Sequence, residues 1–161
     1  HFAETLGTAA AFGAGRPLVL LTVTPELTVA EQDAAHGPRL YERNPDLCCA
    51  LRKIQPLERT LAGRDAWITG MRRVDAPTRK DIEIIGVDAK RGMVKLNPLA
   101  LWTQEQTDEY VQRHDVLLNP LRDAGFTSIG CAPCTRPTAA GEDPRAGRWA
   151  GHGKTECGLH V

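Results

Sequence analysis

An α/β layered fold is predicted for this sequence, on three observations. Short apolar runs rich in Val, Ile and Leu alternate along the chain with segments of helical character. Gly and Pro sit at the ends of these runs, where strands and helices stop. At 161 residues the chain has the length of one ordinary domain, enough to bury a core.

Residues 2–12 are Ala-rich and read as the end of a helix. Residues 16–24 (RPLVLLTVT) read as a buried strand stopped by Pro25. Residues 29–35 make a short helix ended by Gly37-Pro38. Residues 46–61 make a longer helix, with Asp46 as its N-cap and an interruption at Pro56. Residues 66–69 (AWIT) are a second buried strand. Residues 82–88 and 92–97 are further strands, with Arg91-Gly92 as the turn. Thr103 caps a helix over 104–114 and Gln106 completes a capping box. Asn119-Pro120 breaks the chain. From 135 to 155 the sequence is rich in Gly, Pro and charge and reads as a mobile tail whose one large apolar group is Trp149.

Charge excludes two function classes. Twenty basic residues balance twenty acidic ones, so no broad attraction to nucleic acid or anionic lipid is expected. No run of apolar residues is long enough to span a membrane, so neither nucleic acid nor membrane is an expected partner. Five cysteines, an odd number, argue against a secreted disulfide framework and for a reducing cytoplasm.

Those cysteines carry most of the chemistry. Cys48 and Cys49 are adjacent, and Cys131 and Cys134 form a C-x-x-C. Two pairs of thiols far apart in sequence point to a four-thiolate site, which suits a cubane iron–sulfur cluster or zinc. Read singly, the adjacent pair could be small buried hydrophobes and the C-x-x-C a redox dithiol. The adjacent cysteines fall in the first turn of the 46–61 helix, where helix N–H groups favour thiolate. Cys157 lies in a Gly-flanked polar tail with Lys154 and His160 nearby. The cations lower a thiol pKa, and Gly158 leaves room for a substrate, so Cys157 is the candidate nucleophile. Lys53 follows Cys49 by one helical turn. Arg72 and Arg73 follow the AWIT strand, at the end of an α/β sheet where ligands bind, and Arg79, Arg145 and Arg148 add further oxyanion-binding groups.

Five segments in order carry a family resemblance: Cys48-Cys49-Ala50-Leu51-Arg52-Lys53, Trp67-Ile68-Thr69-Gly70-Met71-Arg72-Arg73, Lys95-Leu96-Asn97-Pro98-Leu99, Ser128-Ile129-Gly130-Cys131-Ala132-Pro133-Cys134-Thr135, and Lys154-Thr155-Glu156-Cys157-Gly158-Leu159-His160. With them the chain resembles the assimilatory adenylyl-sulfate reductases, the iron–sulfur branch of the phosphoadenylyl-sulfate reductase family. The stretch from Arg73 to Arg79 is similar to the actinobacterial subgroup.

The resemblance implies a Rossmann-like, adenine nucleotide alpha hydrolase-like layered sheet. It implies a [4Fe–4S] cluster on Cys48, Cys49, Cys131 and Cys134, and adenylyl sulfate as substrate. It implies that Cys157 attacks the sulfate sulfur to give an S-sulfocysteine and AMP, and that thioredoxin then releases sulfite. Lys53 is implied to link the cluster to the substrate. Arg145, Arg148 and His160 are implied to contact phosphate or sulfate, as is one of Arg72, Arg73 and Arg79. On this reading residues 1–137 are the C-terminal part of the reductase domain with the cluster site, and residues 138–161 are a mobile tail carrying Cys157. The family's N-terminal third, with its phosphate loop and first strands, is expected to be missing. A phosphoadenylyl-sulfate reductase, a zinc-stabilised binding module and an inactive remnant are the competing readings, and a homo-oligomer stays open.

Overall fold

The computed structural model describes residues 1–160. Val161, the last residue of the expected tail, lies outside the described residues. The chain divides into two compact units, His1–Thr60 with Leu118–Val161, and Leu61–Leu117.

The first unit is built from short helices. α1 (Ala3–Gly13) is tied to the segment after residue 118. The Phe2 ring meets Phe126 edge-on at 5.3 Å, and Asn119 Nδ2 donates to Thr5 Oγ1 at 2.9 Å. Residues 16–24 do not form the expected buried strand. They pair with no strand among the described residues, and Val19 and Leu21 are 83% and 63% exposed. Apolar content is not sufficient for a strand, because its N–H and C=O groups need a neighbour to pair with.

α2 (Val29–His36) is closed by a capping box. Thr28 Oγ1 accepts from the Glu31 N–H at 3.2 Å, and the Glu31 carboxylate accepts from the Thr28 N–H at 2.8 Å. Gly37, at φ 78, ends it. α3 (Leu40–Arg43) comes next, strapped by Arg43, which donates to the carbonyls of His36 and Pro38.

The 46–61 helix begins earlier than expected and changes pitch inside. Its cap is Asn44, whose Oδ1 accepts from Leu47 N–H at 3.0 Å, so Pro45 takes the first helical position where its missing N–H is harmless. α4 (Pro45–Cys49) runs into a π-helical turn over Ala50–Ile54, and α5 (Gln55–Leu61) continues as α-helix. Within the π-turn the Gln55 N–H reaches back five residues to the Ala50 carbonyl. Pro56 cannot donate to the Arg52 carbonyl, and widening the preceding turn makes room for its ring without ending the helix.

The segment read as a mobile tail is hydrogen-bonded back onto the chain. Arg136 N–H donates to the Gly147 carbonyl at 2.9 Å, and Trp149 N–H donates to the Cys134 carbonyl at 3.0 Å. Thr135 and Arg148 face each other as an antiparallel bridge between them. Gly147 is required there, since a Cβ would overlap the Arg136 carbonyl. The intervening loop is closed by Arg136, which grips the Glu142 carboxylate with both terminal nitrogens at 2.6 and 3.0 Å.

The second unit is a three-stranded sheet of order β1-β3-β2, with β1 Ala66–Ile68, β2 Ile85–Asp88 and β3 Met93–Leu96. β1 runs parallel to β3, with Trp67 opposite Lys95, and β2 runs antiparallel, with Gly86 opposite Lys95. The β2–β3 turn is the expected one, with Gly92 at φ 64. The AWIT strand is present but not buried: Ile68 is 70% exposed. Behind β1, buried Thr69 donates to Asn97 Oδ1 at 2.5 Å, and Asn97 Nδ2 donates to the Glu83 carbonyl at 2.7 Å. α6 (Gln104–Arg113) starts with the expected Thr103–Gln106 capping box. Among the described residues no helix is long and apolar enough to cross a membrane.

The caps and grips are open to test. Thr103→Ala should cost about 1 kcal/mol of stability, read as a lower denaturation midpoint, because two N–H groups at the start of α6 lose their acceptors or geometry. Glu142 is the pH-sensitive closure of the 136–142 loop. The Arg136 hydrogen bonds hold its pKa down from the ordinary 4.5 to about 2. The folded value lies below the unfolded one, so the stabilisation is complete above pH 4.5 and fades as pH falls towards 2. Hydrogen-exchange protection of residues 136–147, taken relative to the unstructured-chain rate at each pH, should fall over that window, and Glu142→Gln should remove that pH dependence.

Candidate metal and thiol site

Four of the five cysteines border one cavity of about 260 Å³ within the first unit. α4 and the π-turn supply Cys48, Cys49, Arg52 and Lys53 to it. The turn Ala132–Cys134 supplies Cys131 and Cys134, and Leu40, Tyr41 and Trp149 complete the wall. Two local devices aim the thiols. The π-turn begins directly after Cys49, so the adjacent cysteines leave the helix where its pitch changes. In the C-x-x-C, Cys134 N–H donates to the Cys131 carbonyl at 3.0 Å and Thr135 Oγ1 to the same carbonyl at 2.8 Å, which closes a tight turn over Pro133.

Electrostatically these thiols form one group. Burial pushes the pKa of Cys48 and Cys49 up, and each is raised further by a Cys131 thiolate. Cys134 is pushed up to about 11 by burial and by Cys131, Cys48 and Cys49. The expectation that the helix start favours thiolate at Cys48 and Cys49 is therefore overturned. The pair sits past the first three helical positions, where desolvation outweighs the helix N–H groups. Lys53 is the common counter-charge, favouring the thiolate at Cys48, Cys49 and Cys134 alike. Arg52 is held differently: it donates to the Leu27 carbonyl at 3.4 Å and to Gln32 Oε1 at 3.3 Å.

A thiol set of this kind suits a cationic group. Deprotonation that is unfavourable against water becomes favourable against a metal, which displaces the protons. Among the described residues, no three His, Cys, Asp or Glu side chains stand close enough to enclose a single metal ion. Cys48, Cys49, Cys131 and Cys134 border one space, and four thiolates are a donor set that zinc or a cubane cluster accepts.

Cys157 is brought to the same region. It lies within electrostatic reach of Cys49 and of Arg148. Arg145 holds the stretch before it, donating through Nη2 to the Thr155 carbonyl at 2.8 Å and pairing with the Glu156 carboxylate at 3.3 Å. Lys154 pairs with Asp46 on α4 and stands 5.6 Å from the centre of the Trp149 ring. Gly158, at φ 81, passes so close to the π-turn that a Cβ would come within 2.9 Å of Ile54 Cδ1. His160 is half-buried three residues beyond Cys157.

The arginines after the AWIT strand belong to the sheet unit. Arg72 is half-buried and spent on Asp75, Thr107 and Gln104, at 2.7 to 3.0 Å. Arg79 pairs with the other Asp75 oxygen at 3.5 Å, and Arg73 donates to the Ile82 carbonyl at 2.9 Å. Sequence reasoning missed the Asp46–Lys154 pair and the anchoring role of Trp149. No local pattern announces the first. The second had a signal, a lone large aromatic in a polar segment.

Known proteins similar to this chain share its fold. Residues 1–137 match the phosphoadenosine phosphosulfate reductase domain. An adenosine 5'-phosphosulfate reductase of Streptomyces coelicolor is 57% identical over 99% of this chain and 68% of its own length. The Rhodococcus opacus and Mycobacterium tuberculosis proteins of the same name are each 54% identical over 100% of this chain, covering 65% and 63% of their own lengths. The crystal structure of a phosphoadenylyl-sulfate reductase from Candida auris, in a phosphate complex, superposes with a TM-score of 0.71 at 31% identity, over 83% of this chain and 65% of that one. The chain spans about two thirds of the length of these relatives. With this fold and this identity, the chain belongs to the phosphoadenosine phosphosulfate reductase family and groups there with the actinobacterial adenosine 5'-phosphosulfate reductases.

Proposed function

We propose that the chain is part of a thioredoxin-dependent adenylyl-sulfate reductase of sulfate assimilation, working in the cytoplasm, where thiols stay reduced. The single observation that carries this reading is the convergence of Cys48, Cys49, Cys131, Cys134 and Lys53 on one cavity, with Cys157 beside it. Its closer likeness to adenosine 5'-phosphosulfate reductases, at 54–57% identity against 31% for the phosphoadenylyl-sulfate reductase, favours the substrate without the extra phosphate.

The four cavity cysteines would hold a [4Fe–4S] cluster, which when bound supplies a fixed, largely buried charge and a rigid staple between the two segments. Lys53, the counter-charge of the thiols, would share its charge with the sulfate of adenylyl sulfate. Arg145, Arg148 and His160 would bind the remaining oxyanions.

Cys157 acts as nucleophile. Its thiolate attacks the sulfate sulfur, a sulfur–sulfur bond forms, the bond to the bridging oxygen breaks, and AMP leaves with that oxygen and the electron pair. The product on the chain is an S-sulfocysteine. One thioredoxin thiolate then attacks Cys157 Sγ and expels sulfite, and the second thiol resolves the mixed disulfide, returning Cys157 as thiol. The two electrons that reduce the sulfur come from the thioredoxin dithiol.

Three outcomes test this. Anaerobically purified full-length protein should carry about four irons per chain, and Cys131→Ser should abolish them; stoichiometric zinc without iron would overturn the cluster. Incubation with adenylyl sulfate should add one sulfite-sized mass to the Cys157 peptide, removed by thioredoxin and absent in Cys157→Ser, whose iron content stays intact. An adduct on Cys131 or Cys134 would reverse the assignment of nucleophile and ligands. Lys53→Ala should keep its iron and lose turnover by an amount on the order of a few kcal/mol of transition-state stabilisation.

A further inference from the structure

Gly130, immediately before the first thiol of the C-x-x-C turn, is not there for its backbone. Its φ lies outside the positive region that favours glycine, so an L-residue could adopt the same conformation. What it lacks is space. A Cβ built on Gly130 would overlap the guanidinium carbon and Nη2 of Arg148 and stand 2.8 Å from its Nε. Nearly every other glycine with a crowded Cβ meets either backbone or the end of an aliphatic or exposed side chain. At Gly130 the neighbour is a half-buried cation.

That cation is held from several sides. Nη1 donates to Ser128 Oγ and to the Ile129 carbonyl, each at 3.2 Å. The guanidinium lies 4.5 Å from the centre of the Trp149 ring. Its Nε is buried with no hydrogen-bond partner. Its charge is felt by Cys157, Cys131 and Cys134. A desolvated guanidinium with a donor left over is costly unless an oxyanion completes it.

We propose that Gly130 is a positioning residue: the missing side chain is the slot that seats the Arg148 guanidinium against Ser128, Ile129 and Trp149, aimed at a substrate oxyanion beside Cys157. The proposal rests on the reading of Arg148 as an oxyanion contact of adenylyl sulfate. It predicts that any side chain at position 130 acts by displacing Arg148, not by disturbing the cysteine turn.

A double-mutant cycle in the full-length, cluster-loaded protein decides this. Wild type, Gly130→Ala, Arg148→Ala and the double variant are compared by iron per chain, thermal midpoint, and affinity for adenylyl sulfate by calorimetry. Gly130→Ala should weaken adenylyl sulfate binding by roughly tenfold when Arg148 is present, the scale of one charge-assisted contact, and by little when Arg148 is absent. The thermal midpoint should follow the same non-additive pattern, and iron per chain should stay at the wild-type value. Equal losses in both backgrounds, or loss of iron in Gly130→Ala alone, would show that Gly130 serves the C-x-x-C turn and overturn the proposal. If Gly130→Ala fails to fold, its folding in the Arg148→Ala background supports the slot, and failure in both backgrounds overturns it. A wild type that binds no adenylyl sulfate would sink the functional reading while the thermal cycle still reports on the slot.

Discussion

The return of residues 147–149 onto the C-x-x-C turn is the contact on which the rest of the site depends. Two backbone hydrogen bonds make it, Arg136 to Gly147 and Trp149 to Cys134, and together they form the antiparallel Thr135–Arg148 bridge. Trp149 is 3% exposed and sits at φ 47, a conformation a bulky residue adopts only when its surroundings over-determine it. Burial of its ring supplies that determination. Once it is seated, Arg148 lies against Gly130, and Lys154 stands near the same ring, within reach of Asp46. Cys157, three residues beyond Lys154, is thereby kept beside the cavity.

The second organising device is the π-turn over Ala50–Ile54. A regular α-helix presents adjacent residues about 100° apart, so Cys48 and Cys49 border the cavity from different directions. The change of pitch directly after Cys49 resets the residues beyond the pair: Lys53 comes into electrostatic reach of three thiols, and Ile54 meets the loop at Gly158. One helix irregularity thus touches the thiols, their counter-charge and the tail together. Its cause, Pro56, lies outside the site.

Three of the cavity thiols are shifted away from the thiolate. Burial and mutual repulsion keep Cys48, Cys49 and Cys134 protonated in the absence of a cation, which suits ligands and not nucleophiles. Cys157 lies on a half-buried loop held by Arg145 and Lys154, within electrostatic reach of Cys49.

Local chemistry was legible in the sequence. The Thr103–Gln106 capping box, the Gly92 turn, the helix over 29–35 and the pairing of Cys48-Cys49 with Cys131-x-x-Cys134 each depend on residues a few positions apart, or on a residue type with one dominant use. Tertiary structure decided the features in which one segment supplies what another lacks. Residues 16–24 have strand composition but, among the described residues, no strand beside them to pair with. Asn44 outcompetes Asp46 as cap because Pro45 accepts the first helical position. The pKa of Cys48 and Cys49 rises because neighbouring segments desolvate them, which no local pattern encodes. No local pattern marks Gly130, and only the arrival of Arg148 from later in the chain fills the space its missing side chain leaves.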